Sequence, residues 1–216
     1  MKDRIIVIGG GGHAKVVISV LKKLDQYDIV GYIDIENKNK IIGVPYLGND
    51  NVLNDLFNSG IVNAALGIGQ IKSTVLRKKI VNLAINIGFK FPSIISPDCV
   101  INESVDIGIG TIVMDGVIIQ PGTKIGDFTI LNTKSSIDHD CEIGNFVHIA
   151  PGVAISGGVK IGNDVLIGTG VSVINNIEIA GNSIISAGSS VLKTISRPGI
   201  YRGIPAKFIK DNQYDL

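Results

Sequence analysis

Stepping by six from Ile95 meets an aliphatic residue every time: Ile101, Ile107, Val113, Ile119, Ile125, Leu131, Ile137, Ile143, Ile149, Ile155, Ile161, Ile167, Val173, Ile179, Ile185 and Val191. With Ile95 included, these are seventeen hexads in unbroken register. The fifth residue of each hexad is small or β-branched: Cys99, Val105, Thr111, Val117, Thr123, Thr129, Ser135, Cys141, valine from 147 through 171, then Ile177, Ser183, Ser189 and Ile195. The second residue is often glycine, as at Gly108, Gly126, Gly144, Gly162 and Gly168. An α-helix repeats its apolar stripe at about 3.6 residues. A period of six with two inward positions instead suits short strands joined by tight turns.

Three hexads make one triangular coil of 18 residues, with the aliphatic residue inside and the small fifth residue at a crowded corner. Seventeen hexads give between five and six coils, a stack of roughly 25 Å at about 4.8 Å per rung. Each coil buries its interior against the next, so both ends of the array need covers. Residues Pro92 to Ile95 enter the first coil from another domain, and the pattern stops at Arg197-Pro198-Gly199, after which a tail follows. Cys99 and Cys141 both fall on fifth positions, seven hexads apart. Seven is not a multiple of three, so they occupy different corners and are expected neither to pair nor, for Cys141, to act as a nucleophile.

The remaining bulk features narrow the function. A net charge of +1 with 18% charged residues produces no global field for nucleic acid or an anionic membrane. Any anionic ligand must be held by local devices. The apolar run Ile5–Ile8 after Met1-Lys2-Asp3-Arg4 is too short for a secretory core or a membrane span, so a cytoplasmic protein is expected. Two cysteines form no disulfide framework and no CxxC metal site.

Residues 1–91 follow a different rhythm. Ile5–Ile8, Ile29–Ile33 and Val62–Leu66 read as strands; Ala14–Leu24, Val52–Phe57 and Ile71–Ile87 read as helices. Alternation of this kind predicts a small parallel, Rossmann-like sheet. Gly9, Gly11 and Ala14 match G-x-G-x-x-A between a strand and a helix, where glycines let the backbone approach a phosphate and the helix start offers free N–H groups. Asp34 lies 20 residues beyond Ala14, where a ribose-binding acid is expected. Three strands are too few for a dinucleotide, so one nucleotide is favoured over NAD. A plain tight turn, with His13 merely starting the helix, is the simpler reading.

A Gly-rich βαβ domain, the continuous run Ser136-Ile137-Asp138-His139-Asp140-Cys141-Glu142, and Gly203-Ile204-Pro205-Ala206-Lys207 after the last coil occur together. In this combination the chain resembles the hexapeptide-repeat acetyltransferases of nucleotide-linked 4-amino-4,6-dideoxy sugars, a group that includes the sialic acid O-acetyltransferases. The resemblance implies a left-handed parallel β-helix over residues 92–197 behind a nucleotide-sugar-binding domain over 1–91, with a tail over 198–216 that contributes to coenzyme A binding. It implies acetyl-CoA as co-substrate, no metal, a homotrimer with coenzyme A between neighbouring prisms, and a place in surface polysaccharide biosynthesis. N-acetylation of the nucleotide-linked amino sugar is the first expectation, and sugar O-acetylation of the sialic acid type the alternative.

An acceptor amine must lose a proton as it attacks a thioester, and an imidazole suits that task near neutrality. His139, third in its hexad, projects from the prism, and either Asp138 or Asp140 is placed to hold its tautomer. The resemblance favours Asp140 and adds Gly157 as an oxyanion donor. It assigns His148, Gly157 again, Thr169 and Gly203 to Lys207 (Ile204, Pro205 and Ala206 between them) to acetyl-CoA, and Gly11, Gly12, His13, Asp34, Gly67 and Gly69 to the nucleotide sugar. His148 and Lys207 are also readable as surface residues, and so is His139. Some family members carry a second acid directly after the Asp34 equivalent; here that position is Ile35, with Glu36 following. Two rival readings remain. A zinc-dependent γ-type carbonic anhydrase needs a third nearby histidine, which His13 in the other domain does not supply. A non-catalytic hexapeptide scaffold has no use for a carboxylate-flanked His139.

Overall fold

The computed structural model describes residues 2–213; the end of the tail, 214–216, lies outside the described residues. The chain divides into two compact units, one made of residues up to Gly69 with Val75–Pro97, the other of Gln70–Thr74 with the chain from Asp98 onward. Among the described residues no helix is long and apolar enough to cross a membrane.

The first unit is built on strand β1 (Asp3–Ile8), whose four residues Ile5–Ile8 are buried without interruption. That is the pattern of a strand covered on both faces. Helix α1 (Gly12–Leu24) follows and buries Ala14, Val17, Ile18, Val20 and Leu21. It ends where Asp25 takes a left-handed conformation and its N–H returns to the Leu21 carbonyl. Then come β2 (Tyr27–Ile33), β3 (Lys40–Ile41), β4 (Val44–Gly48), α2 (Leu53–Asn58), β5 (Asn63–Leu66) and α3 (Val75–Ile87). The sheet order is β3-β4-β2-β1-β5. All pairs are parallel except the β3–β4 hairpin.

Two expectations need correction here. The sheet has five strands rather than three, because the polar stretch after Asp34 hides a short hairpin with Gly43 at positive φ. Helix α3 starts at Val75 rather than Ile71, because Gln70–Thr74 packs with the second unit and Ile71 is left exposed.

The second unit winds two-residue strands into three faces, and almost every strand pairs in parallel with the strand 18 residues away. One face runs through Ser136–Ile137 and Ala154–Ile155, the next through Glu142–Ile143 and Lys160–Ile161, the third through His148–Ile149 and Leu166–Ile167. In each strand the second residue is the hexad's first position and points inward; from Val113 to Val191 all of these are buried. The buried fifth-position threonines knit coils together through their hydroxyls. Thr123 Oγ1 donates to the Asp138 carbonyl at 2.8 Å and accepts the Cys141 N–H at 3.1 Å.

The fourth position, which the hydropathy pattern does not single out, sets the corners. Every fourth residue from Ser104 to Gly188 has positive φ, including Phe128, Lys134, Asp140 and Phe146. Such a conformation turns the chain sharply and normally favours glycine, asparagine or aspartate.

The ends of the array depart from the sequence pattern. Ile101 stays 37% exposed and Cys99 only half-buried, since the first rungs lack a full coil on one side. At the other end Ile195, read as a fifth position, pairs with Ile179 and so takes a first position. The rung is shortened by two residues after Val191, and the ladder then continues beyond Arg197-Pro198-Gly199: Tyr201 pairs with Ile185. The tail strand Lys207–Lys210 folds back antiparallel on Ile200–Arg202, with Phe208 edge-on against Tyr201 and beneath the Arg197 guanidinium. The architecture is a Rossmann-like sheet followed by a left-handed parallel β-helix.

Candidate functional site

His139 sits at the corner between the strands Ser136–Ile137 and Glu142–Ile143. Its backbone is held on every side. The His139 carbonyl accepts the Gly158 N–H at 2.9 Å, its N–H donates to Asp138 Oδ1 at 2.9 Å, and the Asp140 N–H reaches the Pro121 carbonyl at 3.1 Å. The left-handed conformation of Asp140 brings its side chain alongside the ring, and Oδ2 lies 2.8 Å from Nδ1. A carboxylate only accepts, so Nδ1 carries the hydrogen and Nε2 keeps its lone pair. The ring is 61% exposed.

Coil stacking makes room for both side chains. A Cβ on Gly157, one coil after His139, would lie 2.6 Å from Nε2; a Cβ on Gly122, one coil before Asp140, would lie 2.8 Å from Oδ1. Gly157 is buried under the imidazole. At the corresponding hexad position, Ile109, Asp127 and Asn145 each cap their N–H with a side chain 18 residues on. Among the described residues nothing caps the Gly157 N–H. Cys141 is buried, its Sγ lies 3.3 Å from the Ser156 carbonyl, and burial raises its pKa, so it offers no thiolate here.

The hydrogen bond to Asp140 raises the His139 pKa above its ordinary 6.5, desolvation opposes the rise, and the charges of Asp138 and Asp140 add to it. A base must be deprotonated to act, so the rate should fall as pH drops through this raised value. Asp140→Asn removes the main cause. Its kcat/KM profile should lose activity at a lower pH than the wild type, with a reduced plateau because the tautomer is less firmly held. An acid limb that does not move would rule out Asp140 as the partner.

The other coenzyme A candidates lie elsewhere on the prism. His148 belongs to the third face, where Nδ1–H donates to the Gln70 carbonyl at 2.7 Å and Nε2 accepts from Asn132 Nδ2 at 3.1 Å. The Asn132 amide is oriented by its own Oδ1, which accepts the Thr133 N–H at 2.8 Å. In this arrangement His148 anchors the segment Gln70–Thr74, which Thr74 also ties down through Asp164 at 2.8 Å. Thr169 is exposed on the corner between Leu166–Ile167 and Ser172–Val173, a different corner from that of His139. Gly203–Lys207 forms a turn docked on the last coil, where the Ala206 N–H meets the Ser190 carbonyl at 2.8 Å and the Gly203 N–H meets Ser189 Oγ at 3.1 Å. Ile204, Pro205 and Lys207 are exposed.

The first unit shapes an open turn at the start of α1. Gly9 has φ +114, and a Cβ there would lie 2.9 Å from the Gly67 backbone and from Ile68. Around Gly11 and Gly12 a Cβ would meet nothing within 4 Å, so the turn is open on that side. Gly69 packs against His13, with a Cβ position 3.3 Å from the histidine Cβ. Asp34 braces this turn: Oδ2 accepts the Gly10 N–H and Oδ1 accepts the Glu36 N–H at 3.0 Å. Lys38, which the sequence reading missed, meets the Gly10 carbonyl at 3.2 Å.

A family model of the PglD N-terminal domain matches residues 4–84. Among solved structures, perosamine N-acetyltransferase from Caulobacter crescentus, with a histidine replaced and with CoA and GDP-perosamine bound, is 35% identical; the match covers 96% of this chain and 97% of that one, at a TM-score of 0.91. The acetyltransferase domain of PglB from Neisseria gonorrhoeae FA1090, in complex with acetyl coenzyme A, is 32% identical over 97% of this chain and 100% of that one, at 0.90. WeeI from Acinetobacter baumannii AYE is 25% identical over 96% and 100%, at 0.82. No curated protein matches the sequence.

Proposed function

Because this chain belongs to the hexapeptide-repeat nucleotide-sugar acetyltransferases, we propose that it transfers the acetyl group of acetyl-CoA to the amine of a nucleotide-linked 4-amino-4,6-dideoxy sugar. The observation that carries the reading is the His139 imidazole, held by Asp140 with Nε2 free. The acceptor nitrogen attacks the thioester carbonyl carbon, and Nε2 takes the proton that the nitrogen gives up. The Gly157 N–H supports the oxyanion. When the carbon–sulfur bond breaks, the imidazolium returns its proton to the departing thiolate, leaving the acetamido sugar and coenzyme A. Perosamine N-acetyltransferase, solved with CoA and GDP-perosamine, supports both the co-substrate and the acceptor class.

The nucleotide is assigned to the turn at Gly11, Gly12 and His13, with Asp34 and the Gly67–Gly69 turn beside it. His148, Thr169 and Gly203–Lys207 are assigned to acetyl-CoA. Thr169 and His139 occupy different corners, so one copy does not unite the coenzyme A candidates with the base. A homotrimer, in which the corner of one prism meets the next copy, resolves this. Acetyl-CoA as co-substrate goes with a cytoplasmic enzyme.

The test is a panel of UDP- and GDP-linked amino sugars with acetyl-CoA, following free thiol and product mass. One amino-sugar nucleotide should release thiol and gain an acetyl group, its parent nucleoside diphosphate should raise the melting temperature, and light scattering should give three chains per particle. Turnover confined to a free hydroxyl acceptor such as a sialic acid, with no thermal protection by UDP or GDP, would replace N-acetylation by O-acetylation.

A further inference from the structure

Among the described residues, the largest fully buried side chain is a cation. Arg77 is 1% exposed, and burial pulls its pKa down to about 9, which still leaves it charged near neutrality. Removing a guanidinium from water is costly, and an apolar residue of similar volume fills such a space more cheaply. Helix propensity gives no reason for it either. Arg77 is the third residue of α3, where the positive end of the helix dipole repels a cation.

The guanidinium is aimed at a functional turn. Its Nη1 donates to the carbonyl of Ile68, the middle residue of the Gly67–Gly69 turn at the carboxyl end of β5. Ligands of parallel α/β sheets bind at that end of the strands. The turn has almost no freedom of its own. A Cβ on Gly67 would lie 2.8 Å from Val7 and 2.9 Å from Ala14, and Ile68 abuts Gly9 on its other side. The Gly67 N–H is tied to the Ile8 carbonyl at 2.8 Å. Arg77 thus supplies the hydrogen bond that fixes the outer peptide of a turn already wedged against the glycine-rich start of α1.

We propose that Arg77 is a positioning residue for the nucleotide-sugar site: by holding the Ile68 carbonyl it sets the Gly67–Gly69 turn, and through it His13 and the Gly9–Gly12 turn. Buried as it is, it does not touch the ligand. This rests on the nucleotide-sugar reading given above. The charge-assisted bond it makes is of the kind whose loss alters affinity about 10- to 100-fold.

The experiment compares Arg77→Lys and Arg77→Met in the full-length enzyme. Arg77→Met should raise KM for the nucleotide sugar within that range, leaving kcat and the KM for acetyl-CoA within a few-fold of wild type. Arg77→Lys, which keeps a charged donor but not the planar fork, should recover part of the loss. If Arg77→Met does not fold, the Arg77→Lys values carry the test by the same split in KM. A lowered melting temperature with both KM values unchanged in the folded variant makes Arg77 purely structural and overturns the proposal. Failure of the wild-type enzyme to bind any nucleoside diphosphate would instead remove the underlying reading, and it is seen before any variant is made.

Discussion

Replacing His139 with alanine should lower kcat by about 10²- to 10⁴-fold, the contribution usual for a positioned acid–base group, with acetyl-CoA affinity and melting temperature close to wild type. The ring is largely exposed, and among the described residues its only side-chain partner is the exposed carboxylate of Asp140, so little packing is lost with it. The turn beneath is secured independently by backbone bonds to Pro121 and Gly158 and by the Thr123 hydroxyl. Catalysis and stability are therefore separable at this residue. The rate that survives should also lose the acid limb attributed to His139, since no group titrating there remains to be deprotonated. Steady-state kinetics with the nucleotide amino sugar, alongside calorimetry of coenzyme A binding, reads both halves. A variant turning over at the wild-type rate would remove the proposed base.

Much of this corner was legible in the sequence because a solenoid turns distance along the chain into position in space. His139 and Asp140 are adjacent in sequence, and the hexad register alone keeps both out of the interior. The same register placed Thr123, Cys141 and Val159 inside, where they are buried. The bracing glycines were less visible, because Gly122 and Gly157 matter only through steps of 18 residues. Stepping by a whole coil from each polar corner residue would have found both.

Other features depend on events that interrupt the period. The two-residue shortening after Val191 moves Ile195 to a first position, and only strand pairing reveals it. The His148–Gln70 bond spans 78 residues and joins the β-helix to a segment whose own pattern reads as helix. Arg77 defeats a hydropathy reading outright, since a charged residue on a helix is expected to face water. Its burial follows from a carbonyl at the end of a neighbouring strand.

The second large effect concerns a residue with no side chain. Gly157→Ala should cut kcat by about 100-fold, the scale expected when a reacting group is displaced by about an ångström, with little change in melting temperature. Gly157 does not have positive φ, so alanine is acceptable to the backbone. The conflict lies with the imidazole, whose Nε2 and Cε1 would each be 2.6 Å from the new methyl group. The exposed ring can yield where a buried one cannot, and yielding moves the basic nitrogen away from its position over the corner. The main-chain N–H at 157 survives the change, so a loss of rate reports on the position of His139 rather than on the oxyanion donor. Gly144→Ala is the matched control: its methyl group would lie 2.8 Å from the backbone of Gly162 and Asn163, which cannot swing aside, so that variant should lose thermal stability instead. If Gly157→Ala kept the wild-type rate, the ring's place above Gly157 would have no bearing on turnover, and catalysis would have to use a different arrangement of His139.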